Sequence, residues 1–192
     1  MISAVVLSAK EVEIAIPGVV VVPHVSVIQN AKELLDARLE ALKKVRSEWF
    51  FFLDDDDSLP DDYLKILDRC VSVDTPLAYT DELITNADGS LRVRKSAPYS
   101  EDAFIRNSTL IHHLAVCRTE AALEAAAKIP RGTYAIENLL FFEVARQGAT
   151  YIPEIGYIWN RRKTGLNRGP SIVIGLVRSA CWANRNRSID RG

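Results

Sequence analysis

Asp54, Asp55, Asp56 and Asp57 stand in a row directly after five large apolar residues, Trp49–Leu53. Adjacent carboxylates repel one another, and beside a low-dielectric wall they repel more. A bound cation or a cationic ligand relieves that repulsion; a solvated acidic loop is the alternative. Asp54-x-Asp56 offers two carboxylates on the same side of the turn. Hard divalent cations take oxygen ligands, and Mg²⁺ or Mn²⁺ typically binds one or two carboxylates together with substrate phosphates. That chemistry suits a nucleotide diphosphate better than an all-protein cage. An EF-hand is excluded, because Leu59 stands where that loop needs glycine. Zinc is not expected: Cys70, Cys117 and Cys181 are dispersed, and the adjacent His112 and His113 diverge if their segment is extended.

These carboxylates need an element to carry them to the surface. Trp49–Leu53 shows no alternation, which predicts a strand buried on both faces. Ile2–Ser8 reads as a first buried strand, with Ser8-Ala9-Lys10-Glu11 leaving its C-terminal end, where open α/β sheets bind ligands. Pro17-Gly18 signals a turn and Val19–Val22 a second strand, ended by Pro23-His24. Ala31–Val45 is predicted helical from Leu35, Leu39 and Leu42, with Arg38 on the edge of the apolar stripe. The β-α-β order predicts an α/β fold with a mostly parallel sheet and helices on both faces.

Ser58-Leu59-Pro60-Asp61 reads as a helix start with a capping serine. Tyr63, Leu64, Leu67 and Val71 form its expected buried face, and Asp61 and Asp62 serve the helix dipole. Leu77–Thr85 and Leu91–Lys95 flank the turn Ala87-Asp88-Gly89-Ser90, a small β-hairpin. Residues 96–113 lack periodicity, so Ser96–Ser108 is expected to be a flexible active-site loop. Leu114–Cys117 reads as a strand, Thr119–Lys128 as a helix, and Ile136–Gln147 as a helix stopped by Gly148. Thr150–Ile152 and Gly156–Trp159 read as two short strands, Ser171–Ala183 as a last helix and Asn184–Gly192 as a frayed end.

The balance of charge is uneven. From Arg161 onward the chain carries +7, and residues 1–160 carry −8. The acidic part calls for cations and the basic end for phosphates, nucleic acid or an anionic surface. The chain of 192 residues, 48% hydrophobic, is long enough to bury a real core. No apolar run approaches the roughly 20 residues that span a bilayer. With an odd count of three scattered cysteines, a reducing, cytoplasmic setting is expected.

Two enzyme classes use an apolar strand followed by spaced aspartates. FFFLDDDDS fits the Asp-x-Asp-x-Ser/Thr motif of haloacid dehalogenase-type phosphatases, with Asp54 as nucleophile and Asp56 as acid/base. That chemistry also needs a later acidic pair, and after Asp102 the only aspartate is Asp190. The second resemblance is broader. FLDDDDSLPDDYL resembles the segment of glycosyltransferase family two in which a strand leads into Asp-x-Asp-Asp and then x-Leu-x-Pro-x-Tyr-Leu; Asp54, Asp56, Asp57, Leu59, Tyr63 and Leu64 match in register. Asp36-Ala37-Arg38 and Ser47-Glu48-Trp49 resemble its upstream motifs. Ala135-Ile136-Glu137-Asn138-Leu139-Leu140 with Arg146-Gln147-Gly148 resembles its Glu-Asp-x-x-Leu…Arg-x-x-Gly helix, and Tyr157–Lys163 its aromatic-arginine strand and following loop.

The resemblance covers residues 1–168 and implies a single GT-A domain, Rossmann-like, followed by a basic helix and tail over 169–192. It implies a nucleotide diphosphate sugar, UDP-linked, as donor, a divalent metal (Mn²⁺ or Mg²⁺) as cofactor, and inverting transfer to an acceptor hydroxyl. Asp56 with Asp54 or Asp57 would hold the metal. Ser8, Ala9, Arg38, Asp54 and Asp55 would meet the donor, and Arg161, Arg162 and Lys163 would add positive charge at its diphosphate, unless they are plain surface charge. Glu137 would take the acceptor proton, unless it is only a helix-start glutamate. His113 and Arg118 would line the acceptor side. Two departures stand out: the family's Asp-Asp-Gly-Ser turn after the second strand is missing, and its Glu-Asp pair is Glu137-Asn138. These departures keep open a second reading, a domain that binds a sugar nucleotide or carbohydrate without turnover. The acceptor, whether a protein hydroxyl, a glycan or modified DNA, is not readable from the sequence.

Overall fold

The computed structural model describes residues 1–11, 13–130, 133, 137–161, 179, 181–183 and 185–186. Its elements follow in the order β1 (Ile2–Ser8), β2 (Val20–Val25), α1 (Ala31–Leu42), β3 (Trp49–Asp54), α2 (Tyr63–Val71), β4 (Leu77–Thr85), β5 (Leu91–Arg94), α3 (Glu101–Arg106), β6 (Ala115–Arg118), α4 (Thr119–Lys128), α5 (Asn138–Ala145) and β7 (Thr150–Asn160). The strands form one seven-stranded sheet in the order β2-β1-β3-β6-β4-β5, with β7 paired to β4. β1 runs parallel to β2 and β3, and β4 to β7, whereas β6 and β5 run against their neighbours. The sheet is therefore mixed but mostly parallel, as an α/β chain of this pattern predicts.

Two cores sit on opposite faces of the sheet. Val5, Phe50, Phe52, Leu77, Tyr79 and Cys117 point to one face, where Leu35 and Leu42 of α1 and helices α4 and α5 cover them. Ala4, Val6, Trp49, Phe51, Leu53, Ala78 and Val116 point to the other, under Ile66, Leu67 and Cys70 of α2. The period-two alternation of strand side chains explains why Trp49–Leu53 is apolar throughout: both faces are covered. Burying each of those side chains contributes about 1.5–3 kcal/mol.

Several local expectations change. α2 starts at Tyr63, with Asp62 at its N-cap and no side-chain capping bond. Ser58 instead pairs in a short antiparallel bridge with Ile158 of β7, which pulls the chain after the aspartates onto the sheet before the helix begins. Leu64, expected in the core, is 45% exposed, because the buried stripe of α2 runs through Ile66, Leu67 and Cys70. Residues 96–113 are not a free loop. Ser100 caps α3 by accepting from the Ala103 N–H, and Phe104 is fully buried. Ser96 N–H donates to Asp81 Oδ1 at 2.8 Å, and Tyr79 Oη donates to the Ala97 carbonyl. The two short strands expected near the end are one strand, β7, with a shifted register around Asp81 where it pairs with β4. The predicted hairpin is present, closed by Gly89 at φ +83°. Cys70, Cys117 and Cys181 are free. Among the described residues no helix is long and apolar enough to cross a membrane.

Candidate active site

β1 and β3 are parallel neighbours in register from Ile2↔Trp49 to Leu7↔Asp54, so their C-terminal ends open at the same edge. Ser8 leaves one end and Asp54–Asp57 the other. Ser8 Oγ donates to Asp55 Oδ2 at 2.6 Å and joins the two ends directly. Ala9 is exposed beside it.

Each aspartate of the run has a different surrounding. Asp57 accepts from Tyr157 Oη at 2.8 Å and from the Asn160 N–H at 2.7 Å, so both its oxygens are held by β7. The Asn160 side chain donates to the Asp56 carbonyl at 2.8 Å, and the Asp54 N–H donates to Tyr157 Oη at 3.2 Å. Burial pushes the Asp57 carboxyl up to about 7, with Asp54 adding to the rise and the Asn160 and Tyr157 bonds opposing it. Burial also lifts Asp54, against the pull of Arg38, and the charges of Glu137 and Asp56 add to the rise. A third of the Asp54 side chain still reaches solvent. Asp54 and Asp57, both driven toward protonation, belong to a donor set that a hard cation would relieve. Both oxygens of Asp57 are bonded by β7, whereas a third of the Asp54 side chain reaches solvent, so Asp54 with Asp56 is the pair that suits a metal.

Arg38 reaches this edge from α1. Its Nη2 lies 2.8 Å from Asp54 Oδ1 and its Nη1 3.1 Å from Glu137 Oε1, while the guanidinium sits 4.9 Å from the centre of the Phe52 ring. At 2% exposure it is turned to two carboxylates rather than offered to a donor. These two acids raise its pKa although burial alone would lower it. Glu137 is itself 4% exposed and lies 3.8 Å from His113 Nε2. Burial holds His113 well below the usual imidazole range, helped by His112, Arg38 and Arg94, so its ring is neutral near pH 7. The expectation that His112 and His113 diverge is overturned: their ring centroids are 4.0 Å apart, and His113 packs 4.4 Å from the Tyr157 ring.

Arg118 does not join the site. It pairs in register with Trp49 at the other end of β3, about 16 Å from Asp54 at about 3.3 Å per residue. There it stacks on the Trp49 ring and bonds Glu48 at 2.6 Å. Arg161 follows Asn160 directly, with its N–H on the Thr85 carbonyl and its guanidinium 5.7 Å from the centre of the Trp159 ring. Arg162, Lys163, the boundary at 168/169 and most of the basic tail lie outside the described residues. Residues 179, 181–183 and 185–186 are helical, and from this stretch Trp182 and Asn186 donate to Glu143 of α5. Asn138 donates to the Ser108 carbonyl at 2.8 Å and accepts from Ser179. Sequence reasoning missed Asn160, which carries no signal of its own, and Glu82, which pairs with His112 and Arg94.

The fold is that of a GT-A domain, and the sequence that builds the aspartate edge is similar to glycosyltransferase family two. The model of the family described as Glycosyl transferase family 2 matches residues 21–70, which span β2, α1, β3 and the aspartates. Among solved structures, the chain is similar to S. aureus TarS 1-349 in complex with UDP-GlcNAc, with a TM-score of 0.59 at 15% identity, covering 88% of this chain and 61% of that one. It is similar to S. aureus TarS 1-349 at a TM-score of 0.56 and 15% identity, covering 83% of this chain and 60% of that one. The chain thus spans about 60% of the length of the TarS fragment it matches. No curated protein matches the sequence. At such identity the likeness shows the fold, and function is argued from the site.

Proposed function

We propose that the chain transfers a sugar from a nucleotide diphosphate sugar, UDP-linked, to an acceptor hydroxyl with inversion. The observation that carries this reading is the row Asp54–Asp57 at the C-terminal edge of β3, tied to the end of β1 through Ser8 and Asp55. The TarS neighbours include complexes with UDP-GlcNAc and with UDP, which supports a donor of that class.

The roles follow from charge. Ser8, Ala9 and Asp55 line the edge where the nucleoside would lie, as ligands do at such strand ends. Asp54 and Asp56 would hold Mn²⁺ or Mg²⁺, which neutralises a diphosphate leaving group. Arg161, with Arg162 and Lys163 after it, supplies positive charge for the same end of the donor. The acceptor oxygen bonds to the anomeric carbon as the bond from that carbon to the diphosphate oxygen breaks, and the acceptor proton passes to Glu137. Arg38 bonds Glu137 and Asp54 together and fixes one relative to the other, as a positioning residue. His113, neutral beside Glu137, sits on the acceptor side.

The test is incubation of the full chain with a panel of nucleotide sugars and Mn²⁺. Donor hydrolysis or transfer with one of them is expected; no binding and no hydrolysis with any would count heavily against it. One observation favours the second reading, a domain that binds without turnover: Asn138, at the place of the family's aspartate, is committed to Ser108 and Ser179. Binding of a donor with no turnover on any acceptor would select it. The phosphatase reading is disfavoured, because the later acidic pair it needs is lacking: after Asp102 the only aspartate is Asp190.

A further inference from the structure

Beside the aspartate edge lies a second group of ligand-type side chains. His112, His113 and Glu137 each bring one donor atom to within 4.8 Å of the others. Three features set this group apart from a chance meeting. Glu137 is almost fully buried, and its Oε2 has no hydrogen-bond partner among the described residues. A buried carboxylate oxygen without a partner is costly and asks for one. Its Oε1 is already taken up by Arg38 and faces His113.

His112, in turn, is oriented from behind. Its Nδ1 lies 2.9 Å from Glu82 Oε2, and Arg94 holds the other oxygen of Glu82 at 3.0 Å. A carboxylate behind an imidazole fixes the ring and its tautomer and leaves Nε2 for a metal. The aromatic walls complete the enclosure: Tyr157 packs on His113 and Trp159 lies 5.5 Å from His112. Two imidazoles and one carboxylate in a mostly buried pocket form a donor set for zinc rather than for magnesium or manganese.

We propose that His112, His113 and Glu137 form a zinc-class metal site distinct from the Asp54–Asp56 corner. Ligand atoms around tetrahedral zinc lie about 3.3 Å apart, given bonds of about 2.0–2.1 Å, so the most distant pair draws in by up to about 1.5 Å on binding. Glu137 brings its carboxylate to the ion while Arg38 stays on Oε1. The site's existence does not rest on the transferase reading. Its consequence does: an ion on Glu137 takes the oxygen that must accept the acceptor proton, so zinc inhibits transfer.

The test is a Co²⁺ titration of the full chain, followed by visible absorption, with Zn²⁺ as competitor. One equivalent should give the intense bands of tetrahedral cobalt and be displaced by Zn²⁺; Co²⁺ held by the oxygen ligands of the aspartate edge adds no such bands. His112→Asn and His113→Ala should each abolish the bands, Glu82→Gln should weaken binding about 10–100-fold by releasing His112, and Asp56→Asn should leave the bands unchanged. His112 is the more exposed of the pair, so His112→Asn serves where His113→Ala fails to fold. Absence of the bands in the unaltered chain overturns the site, as does survival of the bands in His112→Asn or their loss in Asp56→Asn. Failure of the sugar-nucleotide panel leaves the titration unaffected, so the two readings fail separately.

Discussion

The guanidinium of Arg38 lies 2.8 Å from the carboxylate of Asp54, a residue 16 positions later in the chain. The same group reaches Glu137, so one side chain of α1 couples the donor edge to the proposed base. Removing one member of a buried ion pair leaves an uncompensated charge. Arg38→Met is therefore expected to cost about 3–5 kcal/mol in denaturant unfolding. Arg38→Lys should recover only part of it, because a point charge cannot serve two carboxylates as a fork does. A loss below about 1 kcal/mol would show that the triad is not held as described.

Asp57 and His113 give stability opposite dependences on pH. The folded Asp57 carboxyl, pushed up to about 7, holds its proton more tightly than the unfolded one. Its contribution is present at low pH and is lost as pH rises from about 4 through about 7. His113, held low in the fold, takes up its proton more readily when unfolded. Stability from that source falls as pH drops below about 6.5. Melting curves between pH 4 and 8 should show Asp57→Asn flattening the high-pH loss and His113→Gln the low-pH loss. Mn²⁺ should also reduce the high-pH loss, because a cation at the aspartate edge favours the ionised carboxyls.

Much of the frame was legible in the sequence, because strand and helix signals are local. Trp49–Leu53 could only be a strand covered on both sides, and the stripe of Leu35, Leu39 and Leu42 could only face a core. α3 was missed although Ser100-Glu101-Asp102 is a capping signal, since a six-residue helix with Phe104 as its one fully buried apolar anchor has no periodicity to read. The site was legible where it is sequential, at Asp54–Asp57. It was not where it depends on the turn of a distant strand: the Asp57 bonds come from Tyr157 and Asn160, 100 and 103 residues away. Arg118 misled for the same reason, because sequence cannot say which end of β6 lies beside the aspartates.

β7 changes register against β4 just before Tyr157, and Tyr157 and Asn160 then bond Asp57. At that change Gly156 lies against β4, and a methyl group there would come within 2.5 Å of Thr80 Oγ1. Thr80 is buried and its hydroxyl is bonded to the Asp81 carbonyl, so it cannot swing away freely. Gly156→Ala is expected to destabilise the fold by about 1–3 kcal/mol through overpacking. It should also weaken metal binding at the aspartate edge. Thr80→Ala in the same chain should recover part of the stability, a coupling that calorimetry of the double variant reads directly.

Glu137→Gln tests the proton acceptor. The amide keeps the shape and can still accept from Arg38, but it cannot take a proton. Loss of a general base costs typically about 100- to 10,000-fold in rate, so transfer should fall by at least about 100-fold while donor binding holds. Transfer at the unaltered rate would remove Glu137 from the mechanism.

The final prediction concerns the neighbour that the family would make an aspartate. Asn138 is 1% exposed; its amide N–H₂ donates to the Ser108 carbonyl and its oxygen accepts from Ser179. Asparagine suits that position because it is both donor and acceptor there. In Asn138→Asp an oxygen replaces the donating nitrogen and meets a carbonyl oxygen at about hydrogen-bond distance. The carboxylate must then desolvate without a donor on that side or take up a proton. The change is expected to cost about 1–3 kcal/mol, the penalty for an unsatisfied buried polar group. It should not raise the transfer rate, because the side chain points to Ser108 and Ser179 rather than to the aspartate edge. Unfolding and transfer assays on one preparation decide the matter. A stable Asn138→Asp variant with faster transfer would assign the proton acceptor to position 138 and return Glu137 to holding Arg38.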